Sequence, residues 1–451
     1  MIVYTSRWVL PISRPAIEHG AVGVERGRIT YVGPADIAPA GERRDLGECA
    51  LMPGLVNVHS HLELTAMRGW LEDLPFRKWI IRLTKARQDI LTPDRLLASA
   101  RVGIAEGLLA GITTYGDTCE SGSVHQALRD MRVRGTMYLE VFGPQPEQAM
   151  ASLETLGGRV ASLRDMDTSL VRTGISPHAP YSVSDALFRG AGDMAVADGL
   201  PIAVHAAESE AEQRLVTEAE GDFADALRAR GIAVAARGKS TIEVLERAGV
   251  LRARPLLIHC VRASRDDIRR IADNNCAVAH CPASNAKLGH GIADLAGLLD
   301  AGVAVGLGSD SVASNNKMDM LAEARAAVLA QRARVAKHDV LCAKDVLALA
   351  TLGGARALGL EQEVGSLEVG KSADLAAFPV DECGMPVHDP EAAAIFALPG
   401  ANATLVTVAG RELVRDGRVV GSDHGLGRRM EETARLMREW AATGAHDSVP
   451  R

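Results

Sequence analysis

Eight short apolar runs, separated by helical stretches, occupy the middle of the chain and constrain its fold more strongly than any other feature. The runs lie at residues 55–61, 112–118, 135–143, 171–180, 201–208, 255–261, 276–285 and 303–311. The segments between them, such as DRLLASARVGIAEGLLA, have the 3.6-residue periodicity of amphipathic helices. Strands that alternate with helices are typical of parallel sheets, so eight such units predict a (β/α)8 TIM barrel of the α/β class.

The two ends of the chain have a different pattern, one of short strands and tight turns. Residues 20–33 have a hairpin pattern, and residues 364–380 and 403–420 are rich in strand-forming residues, with a hairpin turn at Asp416-Gly417. A chain of 451 residues is longer than a single compact core usually holds, so we expect a second, small domain besides the barrel. We expect this domain to be β-sandwich-like and to be built from both chain ends. The predicted boundaries are 1–53 and 358–425 for this β-domain, 54–357 for the metal-binding barrel, and 426–451 for a C-terminal helix and tail.

Composition and charge favour small-molecule chemistry. The net charge of -7 is dispersed along the chain, so it gives no electrostatic reason to bind nucleic acid or an anionic membrane. The N-terminus lacks a secretion-signal pattern, and no segment keeps about 20 apolar residues without a charge. We therefore expect a cytoplasmic protein with a small-molecule substrate.

The seven cysteines contain no C-x-x-C pair, which favours reduced thiols over a disulfide framework.

Histidines and one aspartate fall at or near the carboxyl ends of the predicted strands. They are His59, His61, His178, His205, His259, His280 and Asp310. The carboxyl ends of the strands form the catalytic face of a (β/α)8 barrel. A single histidine there is most simply a half-buried structural residue, but packing does not explain five or more strands that end this way.

His59 and His61 are two residues apart on a strand, so alternation sends both imidazoles into the barrel lumen. Two imidazoles that face one point suit a metal ion, with zinc first and iron as a possible alternative. His205 and Asp310 add a nitrogen and an oxygen from other strands and leave a coordination position for water. The alternative for Asp310 is a helix N-cap or a turn aspartate.

Glu208 stands three residues after His205, where a carboxyl shielded from water could act as a proton shuttle. Its alternative is a solvated loop glutamate among Glu208, Glu210 and Glu212.

Seven motifs in this order resemble the amidohydrolase superfamily. They are NVHSHLELTAMRGWLEDLPFRKWI, ISPHAPYS, VHAAESEAE, LIHCV, AHCPASNAKLG, GLGSDSVASNNKMDML and GKSADL. More closely, they are similar to its aminohydrolase and chlorohydrolase branch, which includes deaminases of adenosine-like compounds, guanine deaminase and triazine hydrolases. The resemblance runs from Pro53 to Leu375.

The resemblance implies a set of roles for the residues at the strand ends. It implies that His59, His61, His205 and Asp310 bind one metal ion. It also implies that His259 holds the attacking water, that Asp310 accepts the proton of that water, that Glu208 is the proton shuttle, and that His178 contacts the substrate. Dinuclear members carry a carboxylated lysine at the end of the fourth strand. This strand ends in Ile175-Ser-Pro-His178 instead, so one ion is expected. The scheme gives His280 no role as a metal ligand or in catalysis. We expect His280 either to contact the metal ligands from outside or to stabilise the fold.

The implied activity is a metal-dependent hydrolytic deaminase that releases ammonia from an aminopurine or an adenosine-like nucleoside. The alternatives are a guanine-type aminohydrolase, an s-triazine chlorohydrolase and a non-catalytic relative that serves protein interaction. Where methylthioadenosine and adenosylhomocysteine deaminases carry a glutamate for the ribose hydroxyls, this chain has Gln88. The string HLELT resembles the sequence at this point in the group that contains the aminofutalosine deaminases. This resemblance favours a nucleoside with a modified 5′ side. Family analogy also predicts a homodimer or larger oligomer.

Overall fold

The computed structural model describes residues 1–380, 385–421, 423 and 425–443. Its strands are β1 (Ile2–Val9), β2 (Ile17–Glu25), β3 (Arg28–Pro34), β4 (Glu42–Asp45), β5 (Cys49–Pro53), β6 (Leu55–Ser60), β7 (Ile112–Cys119), β8 (Arg134–Val141), β9 (Val171–Pro177), β10 (Ala203–Ala206), β11 (Leu256–His259), β12 (Ala277–His280), β13 (Ala304–Leu307), β14 (Leu375–Pro379), β15 (Leu405–Val408), β16 (Arg411–Arg415) and β17 (Arg418–Val419).

The α-helices are α1 (Phe76–Ile90), α2 (Pro93–Leu109), α3 (Ser123–Met131), α4 (Ala149–Arg164), α5 (Asp185–Asp198), α6 (Glu210–Glu218), α7 (Asp222–Ala229), α8 (Thr241–Ala248), α9 (Arg265–Asp273), α10 (Pro282–Lys287), α11 (Leu295–Asp300), α12 (Val312–Asn315), α13 (Met320–Val335), α14 (Ala343–Ala348), α15 (Gly354–Ala357), α16 (Pro390–Phe396) and α17 (Leu426–Ala442).

Strands β6 to β13 form the barrel, and each of the eight predicted runs overlaps one of them. They pair in parallel as two four-stranded groups, β6 to β9 and β10 to β13. Parallel bridges between Ile175 and Ile202 and between Ser60 and Asp310 join the two groups and close the barrel. The predicted (β/α)8 fold is therefore confirmed, and the carboxyl ends of all eight strands meet at one face.

Strands from both chain ends form the β-domain, as predicted. They hydrogen-bond into one nine-stranded sheet in the order β17-β16-β15-β14-β5-β1-β2-β3, with β4 also paired to β1. The β2–β3 and β16–β17 hairpins turn through Arg26-Gly27 and Asp416-Gly417, and all four of these residues have positive φ. Two consecutive positive φ values give a two-residue turn whose twist matches the twist of the strands on either side.

The prediction of strand structure from residue 364 was wrong for residues 364–374, because the strand β14 begins only at Leu375. Gly365 and Gly370 have φ of 93° and 94°, which interrupts an extended strand. A Cβ at Gly365 would lie 2.8 Å from the Cα of Leu352, so this turn passes close to the helical backbone. The proposed domain boundaries stay a prediction.

Three other features bear on the sequence predictions. None of the helices in the described part of the chain is long and apolar enough to cross a membrane. The six cysteines within the described residues are free, whereas Cys383 lies outside them. Helix α17 forms where a C-terminal helix was predicted, and residues 444–451 of the predicted tail also lie outside the described residues.

Candidate active site

The barrel brings the predicted histidines together at the carboxyl ends of its strands. The ring centroid of His59 lies 4.8 Å from that of His61, 5.0 Å from that of His205 and 5.7 Å from that of His259. One ligand atom from each of His59, His61 and His205 can be chosen so that all three atoms lie within 4.8 Å of one another. The same holds for His59, His259 and Asp310. These side chains therefore face one common point.

Asp310 faces the histidines directly. Its Oδ1 lies 3.2 Å from His59 Nε2 and 3.5 Å from His61 Nε2. Its other oxygen, Oδ2, accepts hydrogen bonds from the hydroxyls of Ser284 and Ser314. Although burial alone raises the pKa of Asp310, its hydrogen bond with His59 holds that pKa well below the usual value. Asp310 is therefore a buried carboxylate.

The alternative assignment of Asp310 as a helix N-cap is wrong. Ser311 caps α12, since its side chain accepts from the backbone N–H of Ala313. Asp310 has φ of 57°, and His259 has φ of 78°. Non-glycine residues adopt this left-handed region at some energetic cost, and such residues are often found at functional sites.

Glu208 is a buried carboxylate, not a solvated loop residue. It is only 4% exposed, and its Oε1 lies 3.6 Å from His259 Nε2 and 3.4 Å from His290 Nε2. Burial raises the pKa of Glu208, but the two histidines outweigh this effect and lower it below the usual value. The carboxylate is thus ionised at neutral pH. His290 was missed by sequence reasoning, because it lies in a loop after α10 and not at a strand end.

His178, the residue directly after β9, borders the same site. Its ring centroid is 4.8 Å from that of His205, and its Nδ1 lies 2.7 Å from Ser182 Oγ. Burial, reinforced by His61, lowers the pKa of His178 to about 3, so the ring is neutral. His280 is also buried, and burial lowers its pKa to about 4. Among the described residues, neither of its ring nitrogens has a hydrogen-bond partner.

A charged cluster lies on the β6–β8 side of the barrel mouth. Arg87 Nη2 donates to Glu63 Oε1 at 2.9 Å, and Arg87 also pairs with Glu120. Ser121 donates its hydroxyl to the second oxygen of Glu63. The cluster was not predicted, since Arg87 reaches it from α1, which is far along the chain from any strand end.

Gln88, the predicted substrate contact, is exposed on α1, and its role stays a prediction.

Glu140, near the end of β8, extends this cluster toward the histidines. One of its carboxylate oxygens, one ring nitrogen of His178 and one ring nitrogen of His205 all lie within 4.8 Å of one another. Burial, followed by the charge of Glu63, raises the pKa of Glu140 to about 8. The sequence did carry a signal for this residue. Glu140 is the one charged residue in the run GTMYLEVFG.

A series of aromatic rings runs beside the site from His178 to His290. The ring of Tyr181 lies 5.5 Å from His178 and stacks on Phe223 at 4.2 Å. Phe223 contacts Phe76 at 6.2 Å, and Phe76 meets His290 edge-on at 4.4 Å. The rings come from α1, α7 and the loops after β9 and α10, and they border the site from His178 round to His290.

The donor set fits a borderline divalent cation. His59, His61, His205 and Asp310 could hold the ion through nitrogen and oxygen atoms, the ligand types that zinc accepts in catalytic sites. Burial and the neighbouring histidines keep the pKa of His205 well below its usual value. Metal ligation requires a neutral imidazole, so this shift favours binding. His205 Nδ1 has no hydrogen-bond partner among the described residues.

Comparison with known proteins agrees with the fold and with a divalent metal ion. The model of the amidohydrolase family matches residues 50–413, which include every strand of the barrel and all the residues above. The chain belongs to the amidohydrolase family. This amidohydrolase is 32% identical, over 91% of its length and 93% of the relative's, to a 5-methylthioadenosine/S-adenosylhomocysteine deaminase of Moorella thermoacetica.

Two further similarities are informative. This amidohydrolase is 31% identical to a 5'-deoxyadenosine deaminase of Methanothermobacter thermautotrophicus, over 89% of its length and 91% of the relative's. A solved adenosine deaminase of Xanthomonas campestris with bound zinc superimposes with a TM-score of 0.85, 28% identity and 98% coverage of both chains. Together with the histidine cluster, these findings support one divalent metal ion, with zinc as the favoured metal.

Proposed function

We propose that this amidohydrolase hydrolyses the exocyclic C–N bond of an adenosine-like nucleoside and releases ammonia. The observation that carries the proposal is the buried Glu208 carboxylate, held between His259 and His290 beside a cluster of three histidines and Asp310. A carboxylate within reach of a metal site is the arrangement that proton transfer to a ring nitrogen requires. The names of the relatives from Moorella and Methanothermobacter point to the same chemistry.

His59, His61, His205 and Asp310 are the residues we assign to the metal. When bound, the ion supplies Lewis-acid activation, which makes water nucleophilic at neutral pH. His259 orients the water toward the carbon that bears the amino group. Glu208 is ionised, so it takes up one proton of the water and delivers it to the adjacent ring nitrogen.

Asp310 accepts the second proton of the water and passes it to the amino group, which leaves as ammonia. The new C=O bond and the protonated ring nitrogen remain in the product, so both protons of the water are accounted for. His178 contacts the base through its neutral ring. The low pKa of His178 fits this role, because a neutral imidazole offers one donor and one acceptor.

For the substrate, we propose a nucleoside with a modified 5′ side. Relatives named for 5-methylthioadenosine and for 5'-deoxyadenosine support this choice. Gln88 remains the proposed substrate contact from α1. Because Gln88 is exposed, it can contact only a part of the substrate that projects out of the histidine cluster.

A substrate panel tests the proposal directly. Metal-loaded protein is incubated with adenosine, 5′-deoxyadenosine, 5′-methylthioadenosine, guanine and a chloro-s-triazine, and ammonia and chloride are measured. We expect ammonia from the adenine nucleosides and most rapidly from those with a modified 5′ side. Turnover of guanine alone, chloride from the triazine alone, or no release from any compound would contradict the proposal.

We also propose a homodimer or larger homo-oligomer, located in the cytoplasm and acting without a nucleic-acid partner. The dimer rests on family analogy, since subunit symmetry in such enzymes is commonly cyclic. Light scattering at micromolar concentration is the test, and a monomer there would contradict the dimer.

A further inference from the structure

Glu212 is a second buried carboxylate behind the site, and its hydrogen bonds are directed at the loop that carries Glu208. It is the third residue of α6 and is 0% exposed. Its Oε1 accepts from the backbone N–H of Ala207 at 2.8 Å and from Thr241 Oγ1 at 2.6 Å. Its Oε2 accepts from the backbone N–H of Glu208 at 3.1 Å. One carboxylate thus satisfies two consecutive amides and a hydroxyl.

The backbone that Glu212 holds has an unusual conformation. Ala207 has φ of 52°, a left-handed value that a non-glycine residue adopts only when its surroundings fix it. Ala207 lies between His205, a proposed metal ligand, and Glu208, the proposed proton shuttle. The turn at Ala207 therefore sets the direction in which the Glu208 side chain leaves the strand end.

Glu212 also joins this turn to two helices. Ser209 caps α6, since its Oγ accepts from the backbone N–H of Glu212 at 3.2 Å. Thr241 is the first residue of α8. The carboxylate consequently links the end of β10, the start of α6 and the start of α8. Without it, the buried N–H groups of Ala207 and Glu208 would lose their acceptor, which would destabilise this turn.

We infer that Glu212 is a positioning residue for the reaction, which holds the Glu208 carboxylate against His259 through the amides of Ala207 and Glu208. The inference rests on the proposed function, because the effect of Glu212 on turnover passes through the proton shuttle. Glu212 stabilises the backbone conformation of this structure, in which Glu208 Oε1 lies 3.6 Å from His259 Nε2.

A double-mutant cycle separates positioning from general support of the fold. Turnover is measured for the wild type, Glu212→Ala, Glu208→Gln and the double variant, each loaded with zinc and assayed on the best nucleoside of the panel. Glu210→Ala is the matched control, since Glu210 is an exposed glutamate in the same turn of α6. Metal content and the exchange rates of the Ala207 and Glu208 amide hydrogens are recorded for every variant.

We expect Glu212→Ala to lower kcat by about 10²-fold, the loss associated with a misplacement of about 1 Å. Metal content should stay at the wild-type value, and exchange at the two amides should rise. In the Glu208→Gln background the same substitution should lower kcat by less than about threefold, because residues that act as one unit are not additive. Glu210→Ala should match the wild type. If Glu212→Ala does not fold, Glu212→Gln, which keeps the volume and one acceptor oxygen, replaces it in the cycle.

Equal losses in both backgrounds, or unchanged amide exchange, would overturn the positioning role. Wild-type turnover of Glu208→Gln would instead overturn the shuttle assignment, and with it the catalytic role of Glu212. If no nucleoside is a substrate, the exchange rates alone decide whether Glu212 fixes the loop. Failure of the proposed function and failure of this inference are therefore distinguishable.

Discussion

Arg134 Nε donates to Asp374 Oδ2 at 3.0 Å in the interior of the protein, where it joins the first residue of β8 to the segment before β14. A second guanidinium nitrogen, Nη2, donates to Asp374 Oδ1 at 3.2 Å and to Ser372 Oγ at 2.9 Å. Both side chains are almost wholly buried. The pair therefore links the amino-terminal end of the barrel to the sheet built from both chain ends.

Removal of the arginine from this pair should destabilise the fold without touching the active site. Arg134→Met leaves Asp374 buried without its cation, which typically costs about 3–5 kcal/mol of unfolding free energy. The measurement is chemical denaturation of the metal-loaded protein. The control is Arg28→Ala, which breaks the exposed pair with Glu363 and should cost less than about 1 kcal/mol. Equal effects of the two substitutions would contradict this account of the interface.

Glu323 should make the stability of the protein depend on pH. Its buried carboxyl accepts from Asn315 Nδ2 at 2.6 Å and from the backbone N–H of Ala283 at 3.2 Å. Burial raises its pKa from 4.5 to about 8. The folded state thus keeps this proton at pH values where the unfolded chain has lost it. The stabilising contribution is complete below 4.5 and is lost as the pH rises toward about 8.

Glu323→Gln removes the titrating group and tests this sign. The unfolding free energy of the wild type, relative to that of the variant, should fall by up to about 1.4 kcal/mol per pH unit across this range and then level off. Urea unfolding at a series of pH values measures it. The exposed Glu154→Gln is the control and should leave the pH dependence unchanged. A difference that grows in favour of the wild type with rising pH would show that the sign is wrong.

The barrel and the convergence of its histidines were predictable because each is encoded locally. Each barrel strand falls in a short, mainly apolar run, and His59, His205 and His259 lie within such runs, so alternation and the barrel rule place them at one face. The sequence also suggested Asp310, although a capping role was open until Ser311 was found to cap α12.

The residues that were missed depend on tertiary packing. Arg87 and Phe76 reach the site from α1, and His290 reaches Glu208 from a loop, so no local pattern marks them. Glu212 is an intermediate case. The spacing of Ser209 and Glu212 is that of a capping box, which marks the start of α6. Its contacts with the amides of Ala207 and Glu208 become visible only in the fold.

The metal prediction is one tightly bound divalent ion per chain, because three histidines and one aspartate define one site. His205→Ala should lower metal occupancy, since it deletes one of four proposed ligands. Chelation should abolish turnover, and added zinc should restore it. Elemental analysis that finds two equivalents, both needed for turnover, would contradict the single site.

The most direct test of the account is ammonia release by Glu208→Gln. The substitution keeps the size of the side chain and most of its hydrogen-bonding capacity but removes the group that carries the proton. Metal content should equal that of the wild type, in contrast to His205→Ala. We expect kcat for the best nucleoside to fall by at least about 10²–10⁴-fold, the usual contribution of a general acid–base group. Wild-type turnover by a fully metal-loaded Glu208→Gln variant would contradict the proposed mechanism.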